Sequence, residues 1–494
     1  MANSLNVEDI QELFDAIQRA EIFEDQKTMT DAIPLKDINE INQLYLHNKG
    51  NDNFDLRLFV KENFTFPSSL EYINGYSDDT IIQHIEKLWD HLTKTATENQ
   101  GTLLQLPKSY IVPGGRFNEF FYWDSYFVML GLKESNRIQL MENIVDNCAY
   151  LIKQFGFVPN ANRTHFLTRS QPAYFSLMVQ LLADVKGADS VYLNYYDALE
   201  AEYKFWMDGE AELNTNSAKN RVVKLADNAI LNRYYDKENL PRPESYLLDI
   251  EDKIKSSDLN FYRNIRAACE SGWDFSSRWF ADLKQIETIQ TTALLPVDLN
   301  CLLWNLESLL AKIAKQKNDN VSFNYYNNCA EDRKEAIQKY FWNKDLNCFT
   351  DYNFEKKEIS SSQNVATLYP LYFKIASEEQ VIQVEKFVLQ KLLYPGGLVT
   401  TTINSGQQWD FPNAWAPFQW LGFEAMRKNN CQVTAQKIAN VWTSNVEKIF
   451  NQTRCLMEKY NAVDMGLIAG GGEYPNQDGF GWTNGVYLFL KNNQ

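Results

Sequence analysis

Seven carboxylates stand in loops whose other residues are aromatic, glycine, proline or arginine. They are Glu119 and Asp124 in PGGRFNEFFYWDSYF, Glu244 in LPRPES, Asp274 in CESGWDFSSRW, Asp410 in QQWDFPNAWAP, Glu458 in LMEKYN and Glu473 in GGGEYP. Singly, each has an ordinary role open to it, as a helix cap or in a solvated turn. Together, in aromatic-lined loops, they are the equipment for cleaving a glycosidic bond, where one carboxylic acid protonates the leaving oxygen and a second activates water or attacks carbon. Arginine forks would grip hydroxyls, and tryptophan or tyrosine faces would cover the apolar faces of sugar rings. In residues 113–127, Pro-Gly-Gly brings backbone close while Arg116 and Asp124 face the hydroxyls.

Other chemistries lack their residues. The four histidines, His47, His84, His91 and His165, form no HExxH and have no spacing suited to a metal or a Ser/His/Asp triad. The glycines of AGGGEYPNQDGFGW match neither GxGxxG nor GxxxxGK[ST], and no EF-hand loop is present. The seven cysteines, at 148, 269, 301, 329, 348, 431 and 455, include no CxxC pair. They suggest buried thiols in a reducing compartment rather than a disulfide framework or a zinc site. Neither a metal nor a cofactor is expected.

Composition narrows the partners. The 64 acidic against 48 basic residues give a net charge of −16, which repels phosphate backbones and anionic lipid, so neither nucleic acid nor a membrane is expected. The N-terminus MANSLNVEDIQELFDAIQRAEIFEDQ lacks the basic and apolar regions of a signal peptide, from which a cytoplasmic location is expected.

Amphipathic helices must position these loops. Leu299, Leu302, Leu303, Leu306, Leu310 and Ile313 form one stripe, with Asp298 as a candidate cap. Ala435, Ile438, Ala439, Trp442, Val446, Ile449 and Phe450 form another. Similar segments lie near 81–96, 138–154, 172–185, 190–207, 328–341, 363–375, 379–393, 415–428 and 481–491, making about a dozen helices. Strand alternation is scarce, and long polar-aromatic loops between helices suggest a ring of helical hairpins whose loops gather at one end.

The stretch PGGRFNEFFYWDSYF resembles the first signature of the trehalases of glycoside hydrolase family 37, and QQWDFPNAWAP resembles the second. GGGEYPNQDGFGWTNGV and the opening segment LFDAIQRAEIFEDQKTMTDAIP are similar to the same family. The resemblance implies an all-α fold, an (α/α)6 barrel of six inner and six outer helices, here expected at 76–494 with residues 1–75 as an extended arm packed on it. It implies inverting hydrolysis of trehalose, with Asp274 as general acid and Glu458 as general base; a monomer is expected. Substrate contacts would come from Arg116, Trp123, Asp124, Asn160, Arg169, Ser170, Gln171, Arg242, Glu244, Gly272 and Glu473. The alternatives are another α-glucosidase or a disaccharide phosphorylase on the same barrel, or a trehalose-binding sensor without turnover. Two departures stand out. The glycine run before Glu473 is short, and EDQKTMTD replaces the usual DSKTFxD, a change expected to lie far from the chemistry.

Overall fold

The computed structural model describes residues 5–67, 79–96, 98–467 and 469–494. Its centre is a ring of paired helices, each outer helix leading into an inner one. The pairs are α1 (Ile81–Leu92) with α2 (Tyr122–Glu134), α3 (Ile138–Phe155) with α4 (Phe175–Lys186), and α5 (Tyr196–Trp206) with α6 (Val297–Gln316). They continue with α7 (Asn320–Phe341) and α8 (Tyr369–Tyr372), α9 (Glu378–Phe387) and α10 (Ala416–Lys428), and α11 (Gln432–Thr453) and α12 (Gly481–Asn493). The even-numbered helices touch in sequence, and α12 closes back on α2, giving the (α/α)6 barrel.

Burial separates the two rings. Outer helices bury one face: in α11 the buried set includes Ala435, Ile438, Ala439, Trp442, Val446, Ile449 and Phe450, the stripe expected from the sequence. Inner helices are buried almost all round, as in α2 from Tyr122 to Leu132. At the closing contact between α2 and α12 there is no room for a side chain. A Cβ on Gly131 would stand 2.5 Å from the Gly485 Cα, and one on Gly485 would stand 2.1 Å from the Phe127 carbonyl oxygen.

Asp298 does not cap α6. It lies inside the first turn, where both carboxylate oxygens accept hydrogen bonds from Arg278, and the residue preceding the helix is Pro296. The segment expected to be helical over 363–375 is α-helical only at Tyr369–Tyr372, after a 3-10 turn at Val365–Leu368 capped by Asn364. Strands are two or three residues long. One pair matters below: Lys459–Asn461 runs antiparallel to Asn413–Trp415.

Residues 5–66 have a hydrophobic cluster of their own, built on Ile10, Leu13, Phe14, Ile17, Ile41 and Phe59. They reach the barrel through the Leu5 N–H on the Gly101 carbonyl (2.9 Å), the Thr102 hydroxyl on the Thr30 carbonyl (2.8 Å) and Phe14 edge-on to Tyr246. The expected boundary between arm and barrel at 75/76 lies outside the described residues. No helix among the described residues is long and apolar enough to cross a membrane.

Candidate active site

A cavity opens where the inner helices begin. Trp123 and Asp124, in the first turn of α2, line it together with Trp409 just before α10 and Trp482 at the start of α12. The long insertion between α5 and α6 adds Arg242, Glu244, Gly272 and Asp274. Gly272 has φ +74°, and a Cβ there would meet the Trp123 ring at 2.8 Å, so only glycine lets this turn sit on the indole. Arg116, Asn160, Arg169, Gln171, Glu458 and Glu473 complete the expected set around the same space. Ser170 does not reach it: its hydroxyl donates to the Val158 carbonyl (2.7 Å), and its N–H donates to Glu270 (2.8 Å).

Five of the seven loop carboxylates thus face one cavity, and the other two brace it. Asp410 is buried and takes hydrogen bonds from the Ser276 hydroxyl (2.8 Å), the Ser277 N–H (2.8 Å) and hydroxyl (2.9 Å), the Thr401 hydroxyl (2.8 Å) and Ser405, pinning the chain just after Asp274. Glu119 is buried in an ion cluster with Lys27 (2.9 Å) and Arg163 (3.4 Å).

Within the cavity the carboxyls differ in setting. Burial pushes Asp274 up to about 7, with Arg242 opposing and Glu473 adding to the rise. Burial likewise pushes Asp124 up to about 8, helped by Glu458 and Asp274. Glu458 is also raised by burial, but Lys459, a hydrogen bond from Tyr474 and the charge of Arg116 pull against it. For Glu244 burial is outweighed by Arg169, with His165 and Arg242 in support, and its carboxyl is held at about 2. Arg169 donates to Glu244 at 2.6 Å, and Arg242 bridges Asp249 (2.6 Å) to Glu473 (2.7 Å). Ser245 also donates to Glu473, at 2.9 Å.

Glu458 is fixed at its backbone by its N–H on the Gln477 carbonyl (2.8 Å) and by the Trp482 indole N–H on its own carbonyl (2.9 Å). Its Oε1 accepts from the Tyr474 hydroxyl at 2.9 Å, while Oε2, though buried, makes no hydrogen bond within the protein. Asn160 donates to the carbonyls of Cys269 and Ser170, and Gln171 accepts the Trp123 N–H at 3.0 Å, so both hold their neighbours as well as lining the cavity.

Sequence reasoning missed several residues. Tyr474 was visible only as the neighbour of Glu473, and nothing in the linear pattern distinguished Gln408 or Lys459. The altered opening segment is not remote. Asp25 grips the Arg116 guanidinium through two parallel hydrogen bonds of 2.8 and 2.6 Å, and Lys27 forms part of the cavity wall. The arm folds back over the barrel mouth, which brings residues about 90 positions apart into contact. Among the described residues no group of three His, Cys, Asp or Glu side chains is placed to hold a metal ion.

A helical barrel whose inner helices open onto paired carboxyls and clustered tryptophans is the framework of a glycosidase. The sequence model of the Trehalase family matches residues 21–493, and the chain belongs to that family. Periplasmic trehalases of Escherichia coli O45:K1 strain S88 and of Shigella flexneri serotype 5b are each 42% identical over 481 residues, covering 96% of this chain and 85% of theirs. The neutral trehalase of Saccharomyces cerevisiae matches in structure with a TM-score of 0.65 and 27% identity, over 78% of this chain and 74% of that one. These relatives overturn the expected cytoplasmic location, since the bacterial ones are periplasmic. Export is not decided by how this sequence begins. Nor do the free cysteines require a reducing compartment: five of the seven, Cys148, Cys269, Cys301, Cys348 and Cys455, are shielded inside the fold, and Cys329 and Cys431 are partly so.

Proposed function

We propose that the activity of the family, hydrolysis of α,α-trehalose to two molecules of glucose, proceeds here by single displacement with inversion, with Asp274 as general acid and Glu458 as general base. The observation that carries this is the contrast between two buried carboxyls of one cavity. Burial raises Asp274 to about 7, while Glu458 has one oxygen tied to Tyr474 and the other without a hydrogen bond. Asp274 delivers its proton to the glycosidic oxygen as the C–O bond breaks. Glu458 Oε2 takes a proton from a water that attacks the anomeric carbon from the opposite face, so the attacked ring leaves as β-glucose and the departing ring as α-glucose. Arg116, Arg169 and Arg242 donate to sugar hydroxyls, Asp124, Glu244 and Glu473 engage others, and Trp123 and Trp409 cover ring faces.

Glucose release measured over a panel of disaccharides, with NMR of the first-formed anomers, tests the proposal. Trehalose alone should be cleaved rapidly and give α- and β-glucose in equal amounts. Two α-glucose molecules at the earliest times would exclude inversion.

The protein acts on this substrate as a monomer, over residues 76–494 as the catalytic barrel and 1–75 as its arm. It has no nucleic-acid or membrane partner, in keeping with the net charge of −16.

A pH dependence follows. Asp274 must be protonated, and its raised pKa keeps it so below about 7, so kcat/KM should fall as pH rises through that value. A basic limb lying above pH 9 would remove Asp274 from the role.

The arm also bears on binding. Asp25→Ala leaves Arg116 without its forked partner, while the Asp25 side chain is itself 41% exposed, so the fold should survive. The KM for trehalose should rise by about threefold to tenfold, with a smaller effect on kcat. Unchanged kinetics would show that Arg116 holds its position unaided.

A further inference from the structure

Lys459 is a buried ammonium placed unlike most buried cations among the described residues. Arg278 is shared by Asp298 and Asp351, and Arg333 takes Glu307 through parallel hydrogen bonds. Such pairing is what a buried charge needs to offset its desolvation. Lys459 instead donates to a neutral acceptor, Gln408 Oε1, at 2.7 Å, and its Nζ stands 3.6 Å from Glu458 Oε2, the oxygen without a hydrogen bond. The rings of Trp415 and Tyr474 flank it at 5.2 and 5.3 Å. A methionine would serve packing at this position as well and without the charge.

Gln408 is oriented with little freedom. Its Nε2 donates to the Asp274 carbonyl at 2.7 Å and lies 3.5 Å from the Tyr474 hydroxyl, while its backbone carbonyl accepts from Trp415 Nε1 and Asn413 Nδ2, each at 3.0 Å. Turning the amide over would set its NH2 against the ammonium. One side chain therefore ties the cation beside Glu458 to the backbone of Asp274.

We propose that Lys459 is a positioning residue of the reaction. Anchored by Gln408, its ammonium keeps Glu458 ionised and Oε2 directed at the attacking water while Asp274 retains its proton. This role rests on Glu458 being the base.

The groups facing Glu458 can be named from each side. Lys459 follows it in the chain, Tyr474 comes from the glycine loop, Arg116 from the first signature and Asp124 from α2, while Asp274 faces both Lys459 and Tyr474. Arg116 is already engaged by Asp25, and ionised Asp124 or Asp274 would oppose a charge on Glu458. That leaves Lys459 as the cation without a carboxylate partner of its own at hydrogen-bonding distance.

The test is the pH dependence of kcat/KM for trehalose in Lys459→Gln and Lys459→Arg, with folding checked by circular dichroism. In Lys459→Gln the acid limb should move up by about one pH unit or more, because an opposite charge within a few ångströms has been removed. The basic limb should stay in place, and Lys459→Arg should bring the acid limb back. A merely structural lysine would lower activity at every pH without moving one limb, and that result overturns the proposal. If Lys459→Gln fails to fold, Gln408→Met removes the anchor instead and must move the same limb in the same direction. Glu458→Gly with added azide is run alongside. If azide restores turnover there while the acid limb of the lysine variant stays still, the role of Lys459 falls alone. If azide restores nothing, Glu458 is not the base and the role of Lys459 falls with it.

Discussion

Asp274→Asn should bind trehalose with near-normal affinity and turn it over about 10²–10⁴-fold more slowly, a rise of roughly 3–5 kcal/mol in the barrier. The amide has the shape of the acid but no proton to give, and a sugar alkoxide is a poor leaving group. The fold should not notice. The backbone at this position is held from outside the side chain, by Gln408 on the Asp274 carbonyl and by Asp410 on the two serines that follow Phe275. Removing the ionisable group also removes a carboxyl whose charge is opposed by burial, so thermal stability should hold. Calorimetric titration with trehalose and glucose release measured on the same preparation separate the two quantities. A variant within about tenfold of the parent, ~1.4 kcal/mol, would show that another residue supplies the proton.

Glu458→Gly should be nearly inactive on trehalose and regain turnover with added azide, releasing β-glucosyl azide. Removing the side chain opens a space where Oε2 stood, and azide is a nucleophile that needs no base. The backbone hydrogen bonds from Glu458 to Gln477 and from Trp482 do not involve the lost side chain, so the cavity wall remains. Glu473→Gln is the contrast. Glu473 receives hydrogen bonds from Arg242 and Ser245, which suits a contact that closes over bound sugar, so that variant should lose affinity and turnover together and gain nothing from azide. Rescue of the Glu473 variant instead of the Glu458 one would exchange the two roles.

Much of this site could be read from residue type and context, since an acid directly after a tryptophan, as Asp124 and Asp274 are, is an unusual thing to place in a core. What a linear pattern could not separate was Asp410 and Glu119 from the five carboxylates of the cavity. A carboxylate saturated by donors from distant loops and one aimed at a substrate have the same neighbours in sequence. The same limit applies to Asp25, whose partner Arg116 is met only through the folding of the arm. For the helices, α11 was legible because it buries a single stripe. Helix α2 was not, because Tyr126, Phe127, Val128, Met129 and Leu130 are all buried, and a segment buried on every side has no period to detect. The shortness of α8 was hidden for a related reason: Val365, Leu368 and Leu371 are apolar at helical spacing, but Pro370 restarts the chain as a new first turn.

The glycine seam between α2 and α12 has a bearing on how the protein is made. The two helices that close the ring lie near opposite ends of the barrel sequence, so a nascent chain emerging from the ribosome holds an open arc until the sixth inner helix is released. During that time the apolar flank of α2 stays uncovered, and so does the flank of α10 that α12 later meets. Closure of the ring, and with it the seating of Trp482 against Glu458, therefore comes late in the synthesis of the barrel, and the active site is assembled only once α12 has emerged.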